Sequence, residues 1–318
     1  MSTFPHAASL TEQLGSMVET VPDVVDVVQL TQPDVGTIQT RLRELVGRVA
    51  DVAGLESARL SVETQSVQTV MRQPGQLTAV GFHDSGAMSV TLDVAPFDAI
   101  FDEDPGDDEL TALSRRASEQ LGLSKLVPPD DTLAFERLWR INAAASDRSG
   151  RTTEPVLCRA VGAFRHSVLE LPVYGRASGT VQVAAGGQLI STSISTRRFA
   201  GDESGRIVAQ AKTRAAGDAA RDVVDQLGRS FGELRDASSM RIVPEWFRFG
   251  YLSLGRRRSQ GLLAPFYIAS IAIEHELEKS AHVIAVHGST EQFVPLPAGR
   301  RSTAQARQPG RAATGAAA

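Results

Sequence analysis

The sequence predicts an α+β protein made of tandem modules, each a helix laid across one face of a curved antiparallel sheet. Two patterns carry this. Ile38, Leu42, Leu45, Val49 and Val52 step by four, three, four and three, which puts one apolar stripe on a helix, whereas Met88, Val90, Leu92 and Val94 step by two, as a half-buried strand does. The successive strand patterns are also separated by short turn signals. Such connections permit antiparallel hairpins, while parallel pairing needs crossovers of roughly a dozen residues or more.

Taken in order, residues 1–35 read as a helical arm. Ser9 and Glu12 are spaced as a capping box, and Leu10, Leu14, Met17 and Val21 follow until Pro22 interrupts them. Residues 36–97 read as an N-terminal α+β unit: the helix ending at Gly54, then alternation at Ala58, Leu60 and Val62, a turn at Asp84-Ser85-Gly86, and the strand from Met88. Residues 98–200 form a helix–meander module. An acidic linker from Asp98 to Glu109 leads into a helix marked by Leu110, Leu113, Ala117 and Leu121 and stopped at Gly122. Strand patterns follow at 135–141, 157–164, 173–174, 180–183 and 189–195. A second helix–meander module covers 201–296, with a long helix capped at Asp202 or Ser204 and running through Ile207, Ala211, Ala215, Ala219, Val223, Leu227, Phe231 and Leu234. Strands at 246–254, 262–273 and 282–286 complete it. The repeated order makes 110–195 and 207–286 the two matched copies, with 36–96 a degenerate third. From Pro297 the chain is rich in Arg, Ala, Gly and Gln without periodicity, so 297–318 is expected to be a disordered tail.

The chain has 33 Lys and Arg against 37 Asp and Glu among 318 residues, a balance that argues against a surface built wholly for nucleic acid. Cys158 is the single cysteine, which excludes an intrachain disulfide and any multi-cysteine metal site. No Lys or Arg precedes Arg41 and no apolar run reaches the roughly 18 residues of a membrane-spanning helix. A cytoplasmic protein is expected.

Leu171-Pro172-Val173-Tyr174-Gly175, followed by Gly179-Thr180-Val181-Gln182-Val183 and Gly187-Gln188-Leu189-Ile190, resembles the strand–turn–strand signature of PepSY and FTP domains, the cystatin-like propeptide domains of thermolysin- and fungalysin-type proteases. Phe249-Gly250-Tyr251 with Gln260, Leu263, Pro265 and Tyr267 is a shorter echo. The resemblance implies a cystatin-like helix gripped by a curved sheet, without catalytic residues, acting as an inhibitory or chaperoning module on a protein or peptide. A sheet edge offers unpaired N–H and C=O groups that a partner strand can satisfy. Val173, Tyr174, Val181 and Val183 are the expected partner-binding residues.

No complete catalytic constellation is present, and no cofactor or metal site is expected. Gly228-Arg229-Ser230-Phe231-Gly232 matches the G-x-S-x-G pattern but falls on a helix, whereas a nucleophile elbow requires a strand, a turn and then a helix. His275-Glu276 begins like a zincin helix, yet the second histidine position holds Lys279. His83-Asp84-Ser85 reads as a turn and Cys158 as a small buried hydrophobe. The alternative class is a hydrolase or metal-dependent enzyme assembled around His275, His282 and His287. A third is weak, salt-sensitive attachment to nucleic acid through Arg256-Arg257-Arg258, which reads first as a solvated hairpin tip, and the arginines of the tail.

Overall fold

A computed structural model describes residues 7–55, 60–94, 99–176, 178–201, 205–231, 241–275 and 278–296. The expected tail at 297–318 and the expected caps at Asp202 and Ser204 lie outside the described residues. In chain order the elements are α1 (Ala7–Ser16), β1 (Val24–Gln29), α2 (Val35–Ala53), β2 (Ser61–Thr64), β3 (Gln68–Gln73), β4 (Leu77–Phe82), β5 (Met88–Leu92), α3 (Gly106–Leu121), β6 (Thr132–Ala143), β7 (Val156–Val168), β8 (Leu171–Tyr174), β9 (Gly179–Val183) and β10 (Leu189–Ile194), followed by β11 (Ile207–Lys212), α4 (Ala216–Phe231), β12 (Arg241–Leu252), β13 (Leu262–Leu263), β14 (Pro265–His275) and β15 (Glu278–His287). The architecture is mixed α+β. No helix among the described residues is long and apolar enough to cross a membrane.

The chain divides into two compact units. The larger, Asp26–Ala211 with Gly250–Pro265, is organised around an antiparallel sheet in the order β6-β7-β9-β10-β5-β4-β3-β2. α2 lies over β3, β4 and β5, and α3 over β6, β7 and β9. α2 starts where Asp34 accepts hydrogen bonds from the Thr37 N–H at 2.9 Å and the Thr37 hydroxyl at 2.8 Å, and it stops at Gly54, whose φ of 65° suits a residue without a side chain. Three carboxylates, Asp107, Asp108 and Glu109, occupy the first turn of α3 and complement its dipole. The buried faces of the helices, Leu42, Leu45, Val49, Leu110, Ala117 and Leu121, share one core with Met88, Val90, Phe164, Val181, Val183 and Ile194 from the sheet. Close approach is set by two strand glycines. A Cβ at Gly81 would sit 2.8 Å from Ile38 Cγ2, and one at Gly162 would sit 2.5 Å from Ser114 Cβ.

This arrangement corrects the expected boundaries. Residues 36–97 and 98–200 are not successive modules, because β5 and β10 pair directly, with Thr91 opposite Ser191 and Ser89 opposite Ser193. The matched copies are therefore α2-β2-β3-β4-β5 and α3-β6-β7-β9-β10, with β8 inserted in the second. The 36–96 segment is a full partner in the repeat. The N-terminal arm is not wholly helical either: Val24–Gln29 is a strand, antiparallel to β13 through Val28 and Leu263.

The smaller unit holds α1, α4, the first part of β12, and the β14–β15 hairpin. Its helix starts later than the apolar spacing implied, since Ile207–Lys212 is strand β11 and α4 begins only at Ala216. A spacing of four, as between Ile207 and Ala211, also keeps both residues on one face of a strand, so it does not by itself distinguish helix from strand. Within this unit Ala219, Ala220, Val223, Val224 and Leu227 form the buried stripe of α4. Tyr267 stacks on Phe247 at 5.2 Å and meets Phe249 at 4.9 Å, while its hydroxyl donates to the Arg214 carbonyl at 2.7 Å. Burial pushes the Tyr267 phenol up to about 12.

Candidate functional site

The expected edge at β8 and β9 is not an edge. β9 pairs with β7 on one side, Val181 opposite Gly162, and with β10 on the other, Val181 opposite Thr192. Val181 and Val183 are fully buried. β8 pairs with the end of β7 and runs parallel to β12, with Val173 opposite Tyr251 and Tyr174 opposite Leu252. The Val173 carbonyl accepts from Arg165 at 2.9 Å, and the Arg165 guanidinium lies over the Tyr174 ring at 4.8 Å. All four residues are committed to internal contacts. Alternation alone cannot say which strand ends a sheet, because central and edge strands carry the same apolar period.

The long free edge of the larger unit is β6. Among the described residues it pairs with β7 only, from Thr132 opposite Ser167 to Ala143 opposite Val156. Its register shifts between Phe135 and Arg137 and again between Ile141 and Asn142, so Arg137–Ile141 is a regular segment bounded by two irregularities. Leu133, Phe135 and Leu138 pack against the core. Trp139 and Ile141 point away from it and are 43% and 42% exposed. The sequence places 135–141 on a strand, and nothing in it marks that strand as terminal.

Charges brace this edge from behind. Glu136 meets Arg165 of β7, with an Arg165–Glu136 Oε2 separation of 2.6 Å, and both side chains are largely buried. Burial alone would raise the Glu136 carboxyl, but the Arg165 hydrogen bond and the nearby positive charges outweigh it and hold the group below its ordinary value. Arg140 donates to Asp107 at 2.7 Å and pairs with Asp104, which fastens β6 to the start of α3. Arg137 lies over the Trp139 ring at 5.7 Å.

A second polar cluster lies in the interior. Asp131, just before β6, accepts from Arg198 at 2.6 Å and contacts His166 Nε2 at 2.7 Å; all three side chains are buried. The three buried side chains tie β6 and β7 to the segment after β10. The sequence offered no signal for it, because its members lie 35 and 67 residues apart.

The histidines of the enzyme alternative do not converge. Along β15, His282 faces Ile271 and His287 faces Phe266, five positions apart and therefore on opposite sides of the strand. His275 sits at the hairpin end opposite Glu278, and its side chain lies outside the described residues. Burial holds both His282 and His287 below the ordinary histidine value. No cluster of three or more His, Cys, Asp or Glu side chains among the described residues could hold a metal. Ser230 is in the last turn of α4, Cys158 is buried in β7, and His83-Asp84-Ser85 forms the turn after β4. Arg257 and Arg258 are exposed in the turn between β12 and β13, whereas Arg256 is half-buried rather than solvated.

No family model matches this chain, and no curated protein matches it. Among solved structures, that of an uncharacterized protein from Eubacterium rectale ATCC 33656 is similar with a TM-score of 0.55 and 10% identity, over 88% of this chain and 89% of the other. That likeness supports the fold and assigns no activity.

Proposed function

We propose that this chain is a non-catalytic interaction protein that takes an extended segment of a protein partner as an added strand on β6. The observation that carries the reading is a 12-residue strand with one ladder partner among the described residues and two large apolar side chains, Trp139 and Ile141, on its exposed face. Edge strands of that length are ordinarily blunted, and one that keeps exposed apolar side chains is a template for strand addition. The regular window at 137–141 fits a segment with apolar side chains at alternate positions to cover Trp139 and Ile141, and an acidic residue to meet Arg137. The similarity of 171–190 to PepSY and FTP domains supports a cystatin-like, inhibitory or chaperone-like role, now at a different strand.

The test compares the wild-type chain, the Trp139→Thr/Ile141→Lys double variant and a Val62→Thr control. All three should fold with stabilities within about 0.5 kcal/mol of one another, since surface changes away from special features cost little. Wild type and Val62→Thr should retain the same captured partner, with slowed amide exchange at 137–141 in the complex, and the double variant should lose it. Equal capture by the double variant, or protection elsewhere, would refute the reading.

A further inference from the structure

Three arginines from separate stretches of the larger unit converge on one small cavity: Arg176 after β8, Arg197 after β10 and Arg256 between β12 and β13, together with Ser85, Ser195 and Ser253. Among the described residues no carboxylate forms an ion pair with any of the three; Asp84 acts on Arg197 only at longer range. Arg197 is 6% exposed and spends its hydrogen bonds on the surrounding chain. It donates to the carbonyls of Leu254 at 2.7 Å, Arg258 at 2.9 Å, Gly255 at 3.1 Å and Asp84 at 3.5 Å, and to Ser253 Oγ at 3.3 Å. Those bonds occupy the five N–H groups a guanidinium carries, so Arg197 supplies positive potential and no free donor.

The free donors are beside it. Arg256 Nε and Ser195 Oγ are both buried and have no hydrogen-bond partner. A buried polar group left unmatched is destabilising, and native proteins rarely leave two in one place. Burial and the Arg176 charge both push the Arg256 guanidinium down, and burial lowers Arg197 to about 10, so the cavity strains against its own charge. An anion would relieve all of these at once.

We propose that this cavity is a binding site for a phosphate-class oxyanion, which inserts one oxygen between Arg256 Nε and Ser195 Oγ and leaves its remaining oxygens at the mouth beside Arg176. The cavity volume of about 10 Å³ admits one oxygen-sized atom, which favours a protruding oxygen over a buried planar group. Arginine donors arranged around an anion are the usual means of holding phosphate.

The test is calorimetric titration of the full chain with inorganic phosphate and with phenyl phosphate, against sodium chloride at matched ionic strength. Saturable binding at one site per chain is expected, with Arg256→Met weakening it by about tenfold or more, Ser195→Ala weakening it less, and the exposed neighbour Arg257→Met leaving it unchanged. A preference for phenyl phosphate would assign the site to an esterified phosphate, and a preference for inorganic phosphate to the free ion. No saturable binding by either probe up to about 10 mM, or equal binding by wild type and both cavity variants, would overturn the proposal. Neither result bears on β6.

Discussion

The two halves of the larger unit share a plan and differ at their outer strands. Each begins with a helix, continues as an antiparallel meander, and meets the other along the β5–β10 ladder. In the first half the outer strand, β2, has four residues. In the second its counterpart, β6, has 12, and β7 has lengthened to 13 where β3 has six. A four-residue edge is enough to close the fold on one side. The extra length of β6, with Trp139 and Ile141 near its end, therefore has no equivalent in what the core requires, and that is the physical ground for placing the interaction there.

The largest expected difference between the halves lies behind these edges. The second half braces its edge with the buried Asp131–His166–Arg198 cluster, while the first uses a Thr69 hydroxyl against His83 Nε2 at 3.0 Å. Asp131→Ala leaves the Arg198 guanidinium without its principal partner in the interior, and breaking a buried ion pair from one side costs about 3–5 kcal/mol. Thr69→Val removes a single hydrogen bond and should cost about 1 kcal/mol. Urea denaturation of the two variants measures the gap, and equal midpoint shifts would refute the assigned asymmetry.

A smaller difference is expected at the helix–sheet contacts. At Gly162→Ala the new methyl meets Ser114 Cβ at 2.5 Å, an atom fixed to the α3 backbone, whereas at Gly81→Ala it meets the Ile38 Cγ2 methyl, one bond further from the α2 backbone, at 2.8 Å. Overpacking of this kind costs about 1–3 kcal/mol, with the value depending on what can yield. Gly162→Ala should cost more than Gly81→Ala, because Ile38 Cγ2 can yield by a small χ1 adjustment and Ser114 Cβ cannot move without the helix. Thermal unfolding of the pair checks the order.

These features divide by how local they are. The stripes at Ile38–Val49 and Leu110–Leu121, the glycine stops at Gly54 and Gly122, and the alternation at Met88–Leu92 are set by neighbours within a few residues, and they were legible in the sequence. Strand order was not, because Val181 in the centre of the sheet and Trp139 at its rim lie in segments of similar alternation. The matched copies are hidden for a related reason: Ile207 and Ala211 satisfy helical and strand spacing alike, although Ile207–Lys212 is a strand. The buried cluster and the arginine cavity depend on partners such as Asp131 and Arg198, or Arg176 and Arg256, that only the fold brings together.

Each outer strand also carries a cross-strand ion pair. Glu63 of β2 lies 3.9 Å from Arg72 with the side chains 59% and 56% exposed, and Glu136 of β6 meets Arg165 with the side chains 14% and 16% exposed. The exposed pair is screened by water, so Glu63→Gln should change stability by less than about 0.5 kcal/mol at any pH. Glu136 has a folded-state pKa held below its ordinary 4.5, so the unfolded chain takes up its proton first as the pH falls. Its stabilising contribution is therefore complete above 4.5 and is lost as the pH drops through the lower folded value. A hydrogen bond to a charged group contributes about 1.5–3 kcal/mol, so Glu136→Gln should cost about that much at pH 7 and progressively less toward pH 3. Denaturation midpoints for wild type, Glu63→Gln and Glu136→Gln across that range should show the wild-type and Glu136→Gln curves converging at the acid end. Parallel curves would mean that the Arg165 clamp adds nothing to the longer edge beyond what water-exposed Arg72 adds to the shorter one.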